Sequence, residues 1–103
     1  LFSRVRGSTN GVYVDNELWF LCHIVSYENM RFYYHMFVVL DPTDNYRLKR
    51  HSMLFTFDKC PVEYTTGFVY DDRKKQFLIG YSTNDDTTKF MNIDKKHVDS
   101  LFI

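Results

Sequence analysis

The chain has 103 residues, 45% of them hydrophobic and 18% aromatic, which is enough apolar material for one core and too much for disorder. Lys plus Arg equals Asp plus Glu at thirteen each, so there is no long-range pull on nucleic acid or an anionic membrane, and neither is expected as a partner. No apolar run approaches the roughly 20 residues that a membrane-spanning helix needs.

Ten Phe, eight Tyr and one Trp favour a sheet protein over a helical bundle. In chain order, Leu1–Arg6 predicts an incoming strand and Gly7–Gly11 a flexible polar loop. Val12–Val14 is a short strand, and Asp15-Asn16 a tight hairpin turn. Glu17–Ser26 (ELWFLCHIVS) is a nearly continuous apolar strand. Alternation places Trp19, Leu21, His23 and Val25 on one face and Leu18, Phe20, Cys22 and Ile24 on the other. With both faces apolar, cover on both sides is expected.

Tyr27–Met30 predicts the next turn. Arg31–Asp41 follows as a second long strand, with Tyr33, His35, Phe37 and Val39 on one face. Pro42–Asn45 is a turn. Tyr46–Ser52 reads as an exposed edge strand, whose Arg47, Lys49 and Arg50 discourage edge-to-edge pairing. Met53–Phe57 extends or bends that strand until Asp58–Pro61 breaks it.

Val62–Asp71 and Gln76–Ser82 then form a hairpin around the charged turn Asp71–Lys75, with a polar loop Thr83–Asp86 beyond. Thr87–Ile93 is a further strand, and Asp94 is placed to cap a short helix, Lys95–Leu101. The whole is an all-β succession of short antiparallel strands with a short C-terminal helix. About four strands precede a Pro-marked break and about three follow it. A sandwich or a barrel permits that rhythm; propeller blades predict it.

Two cysteines, Cys22 and Cys60, allow one disulfide but not the dense framework of small secreted domains, which points to free thiols and a cytoplasmic setting. Neither a CxxC pair nor clustered Cys/His spacing is present, and there is no Gly-rich phosphate loop, GxSxG or HExxH, so no metal and no cofactor is expected. The chain starts Leu1-Phe2-Ser3-Arg4 without Met or a signal-peptide pattern, and part of a longer protein is expected. Its richness in Asn, Lys, Tyr and Phe suggests an AT-rich genome, such as that of a large DNA virus or a low-GC microbe.

Five stretches carry a family likeness: Gly7–Gly11, the strand bearing His23, Tyr33-Tyr34-His35-Met36-Phe37, Glu63-Tyr64-Thr65-Thr66-Gly67, and Gly80-Tyr81-Ser82-Thr83-Asn84-Asp85. In order and spacing they resemble the C-terminal part of five-bladed β-propeller carbohydrate enzymes. These are the β-mannoside phosphorylases and hydrolases, and especially their relatives found beside or fused to glycosyltransferases. The last stretch departs from the family pattern, with Gly and Tyr-Ser in permuted order.

The resemblance implies about two antiparallel blades of a partial propeller. The remaining blades of the same protein, or self-association, would complete it. The implied ligand is a glycan or sugar phosphate. The family's general acid and phosphate-gripping arginines belong to earlier blades, so no catalytic residue is expected here.

Six residues are candidates for substrate contact: His23, Tyr33, His35, Glu63, Tyr64 and Asp85. His23 is either a core histidine satisfied by a carbonyl or a pocket group bonding a sugar hydroxyl or a phosphate. Tyr33 and His35 share a face and either line a pocket or pack between sheets. Glu63 begins a strand amid apolar residues and needs a partner there. By the resemblance, Tyr64 and Asp85 fall at substrate-contacting positions, and Asp85 is otherwise an Asx-turn cap. A non-catalytic structural or protein-interaction module is the competing function.

Overall fold

The computed structural model of the chain describes residues 5–26, 32–58, 63–84 and 87–102. Expectations for residues 1–4, the turn at 27–31, the Pro-containing stretch 59–62 with Cys60, and Asp85 lie outside these.

Two ten-residue strands, β3 (Glu17–Ser26) and β4 (Phe32–Asp41), pair antiparallel and form the spine of the first sheet. Their alternation is as expected. Trp19, Leu21, Phe37 and Val39 bury one face, while Cys22, Ile24, Met36 and Val38 gather on the other with half-buried Phe20 and Leu40. β5 (Arg47–His51) lies along the free side of β4. Beyond it the chain bulges at the exposed Met53 and Leu54, then rejoins β4 where Phe55 exchanges two backbone hydrogen bonds with His35, 2.8 and 3.0 Å.

On the other side of β3 lie β1 (Val5–Ser8) and β2 (Val12–Val14), end to end along one edge. The expected loop Gly7–Gly11 is therefore corrected: its first residues are strand, and its middle stays bound to β3. Thr9 N–H donates to Leu21 O (3.0 Å), and Leu21 N–H donates to the Thr9 hydroxyl (3.1 Å), which stands in for a ladder carbonyl. Asp15 and Asn16 have φ of 49° and 66°, the two left-handed residues of a primed turn between β2 and β3.

The second sheet is a meander of β6 (Glu63–Asp71), β7 (Gln76–Thr83) and β8 (Thr87–Asp94). Its Phe68, Phe77 and Ile79 pack on the inner face of the first sheet. Trp19 lies between the sheets, 5.2 Å from the Phe77 ring and 6.1 Å from Phe37 between centroids. The closing helix α1 is shorter than expected, Lys95–Asp99, and contributes the buried Val98. Asp94 precedes it but makes no side-chain cap, because its carboxylate accepts from Gln76 Nε2 (2.9 Å) across the sheet. From α1 the chain returns to the first sheet, where Phe102 bridges Ser52. Among the described residues the fold is all-β and antiparallel with one short helix, and neither sheet closes on itself.

Candidate functional site

Strand register alone brings most of the candidate residues together. His23 and His35 are cross-strand partners in β3 and β4, and Tyr33 lies two residues from His35 on the same face. β6 enters against that end of the first sheet with Glu63 and Tyr64. Five of the six candidates thus converge, and Asp85 is outside the described residues.

The outer part of the cluster is aromatic. The Tyr33 and Tyr64 hydroxyls are hydrogen-bonded at 2.6 Å, with their rings edge to face at 4.8 Å. His23 stacks on Tyr33 at 6.1 Å and meets the edge of Tyr64 at 6.2 Å. Tyr33 is buried, whereas His23 and Tyr64 are half-buried and form the accessible rim. Burial pushes the His23 imidazole below its ordinary range, which leaves it neutral near pH 7. Gly7 gives it room: a Cβ there would lie 2.8 Å from His23 Cε1.

The inner part is a clasp. His35 and Glu63 are both 0% exposed, and His35 Nε2 lies 3.1 Å from Glu63 Oε1. Glu63 also accepts the backbone N–H groups of Phe57 (2.9 Å) and Asp58 (2.7 Å). The carboxylate expected to need a partner has these, and they tie the segment after β5 to the second sheet. Burial outweighs the pull of Glu63 and lowers His35 to about 4, so the imidazole is neutral and donates Nε2–H to the carboxylate. Its Nδ1 is buried without a partner among the described residues.

Beside the clasp lies a group not anticipated from sequence. Tyr81 donates its hydroxyl to Asp58 (3.0 Å), Lys89 Nζ lies 2.8 Å from the same oxygen, and the Tyr81 ring stacks on Phe57 at 4.4 Å. Lys89 and the Tyr81 hydroxyl hold the Asp58 carboxyl below its usual range. Alternation along β7 places Tyr81 on the face of Phe77 and Ile79, which was a usable signal. Asp58 carried none, since it read only as part of a strand break.

Chemically, the rim offers the half-buried Tyr64 and a neutral imidazole, with the Tyr64 hydroxyl bonded to that of the buried Tyr33. It has no free carboxylate among the described residues, because Glu63 is committed to the clasp and Asp58 to Lys89 and Tyr81. Among the described residues no group of three His, Cys, Asp or Glu side chains stands close enough to hold a metal ion. No described helix is long and apolar enough to cross a membrane. Comparison with protein-family models, curated proteins and solved structures finds no match.

Proposed function

We propose that the chain is a non-catalytic, glycan-contacting section of a carbohydrate-active protein, its two stacked meanders being blades of a propeller that further blades complete. One observation carries the reading. His23 from β3, Tyr33 from β4 and Tyr64 from β6 meet in a single aromatic cluster with His23 and Tyr64 at its accessible rim. Ring faces suit the C–H patches of a sugar, and a neutral imidazole offers one donor and one acceptor to its hydroxyls. That neutrality favours an uncharged glycan over a sugar phosphate. His35 and Glu63 hold the scaffold beneath and do not meet the ligand.

The test is calorimetric titration of the full chain with β-mannobiose and longer β-mannosides. Binding is expected, and His23→Ala and Tyr64→Phe are each expected to weaken it by about tenfold, which is 1.4 kcal/mol. Equal affinity in both variants would overturn the assignment.

A second reading has its own observation. Val69, Leu78 and Phe90 form an exposed apolar patch on the outer face of the second sheet, Phe90 being 71% exposed. Such a patch fits a protein-interaction module, whether its partner is another blade or a second copy. Sedimentation across a concentration series distinguishes the two: Phe90→Lys abolishes self-association if copies meet there and leaves sugar binding intact.

A further inference from the structure

The space between β7, β8, α1 and the segment after β5 forms a pocket of about 190 Å³ that is open to solvent on one side. Ile79, Met91 and Ile93 face it from the second sheet, and Phe37, Phe55 and Phe57 from the first. We propose that this pocket is a binding site for a small uncharged aromatic molecule, one six-membered ring with a short polar substituent.

Size sets the ring. A closed apolar cavity of about 150 Å³ takes up benzene, and this pocket, open on one side, offers a comparable volume. Aromatic character follows from the walls. Phe37 and Phe55 stack at 5.4 Å, and Phe55 meets Phe57 edge to face at 5.6 Å, so a guest ring finds both faces and edges to pack on. Thr56 and the exposed His97 supply polar groups at the lining, suited to one hydroxyl or N–H. No Asp, Glu, Lys or Arg lines the pocket, so a charged guest would give up part of its hydration and find no counter-charge.

The site does not rest on the glycan reading. Phe55 and Phe57 connect it to the clasp: Phe55 exchanges two backbone hydrogen bonds with His35, and Phe57 has its N–H held by Glu63 and its ring 4.4 Å from His35.

The test is NMR titration of the full chain with p-cresol, indole and benzoate, following the methyl groups of Ile79, Met91, Ile93 and Leu101. Saturable shifts confined to these methyls are expected for p-cresol and indole and not for benzoate. Ile93→Trp, which fills the cavity, is expected to weaken p-cresol binding at least tenfold while the chain stays folded. Met91→Ala, which enlarges it, is expected to admit 2-naphthol, which the wild type excludes. Four results would overturn the proposal: no saturable shift with either neutral probe, equal binding of benzoate, unchanged affinity in a folded Ile93→Trp, or contacts showing that another segment of this chain fills the space. Should Ile93→Trp not fold, failure of Met91→Ala to gain 2-naphthol overturns it instead.

Discussion

Glu63 does more for the fold than any other single polar residue near the site. It is fully buried, and removing it strands two backbone N–H groups and the His35 imidazole. Glu63→Ala is therefore expected to cost about 3 to 5 kcal/mol in urea unfolding, at about 1 to 3 kcal/mol for each buried polar group left unsatisfied. Glu63→Gln, which keeps an acceptor oxygen, should cost clearly less. His35 adds a pH dependence. Its value falls from 6.5 in the unfolded chain to about 4 in the folded one, so between those pH values the unfolded state binds the extra proton. Stability is then full above pH 6.5, declines as pH falls towards 4, and levels off below. The loss is about 3 kcal/mol. His35→Phe should flatten that part of the stability profile, and an unchanged slope would assign the titration elsewhere. The sequence showed that Glu63 needed a partner. It did not show that the partners are backbone amides on the near side of a proline-marked break, because a break in the strand pattern carries no information on where its N–H groups point.

Strands and turns were the most legible level. The alternation along β3 and β4 placed Trp19 and Phe37 on one face and Cys22 and Met36 on the other, and the core divides that way because a period of two leaves a strand no other choice. Asp15-Asn16 was equally readable, since few residue pairs tolerate two left-handed conformations. Asn16→Val should destabilise the chain by about 1 to 2 kcal/mol, whereas Asn16→Gly should be neutral or slightly stabilising, both by thermal unfolding. The Gly7–Gly11 segment was misread for a definite reason. Its composition is that of a loop, and the Thr9 N–H and the Thr9 hydroxyl, the latter replacing a carbonyl, help to keep it on the edge of β3. Asp94 misled similarly: a good capping residue in the right place was claimed by Gln76 of the neighbouring strand. Gly7 links this level to the site. Gly7→Ala should displace the His23 ring and weaken sugar binding with little change in the β3–β4 pairing, seen as shifts confined to His23, Tyr33 and Tyr64.

For the whole molecule, the two sheets share one aromatic core, with Trp19 in contact with Phe77 of the second sheet, Phe37 of the first and Phe102 of the returning C-terminal segment. Phe77→Ala should cost about 3 to 5 kcal/mol and lower both sheets' stability in one transition, followed by tryptophan fluorescence and circular dichroism together. Two separate transitions would show that the sheets are independent units. The all-β class and the short closing helix were readable from aromatic richness and turn spacing. A propeller arrangement was not, and neither sheet closes on itself among the described residues. The central claim, that the His23–Tyr33–Tyr64 rim receives a sugar, is tested most directly by NMR titration of the unmodified chain with β-mannobiose. The account predicts saturable shifts at the His23 imidazole and the Tyr64 ring, with His35 and the Trp19 core unmoved. Saturation without movement at His23 and Tyr64, or no shift at any concentration, would contradict it.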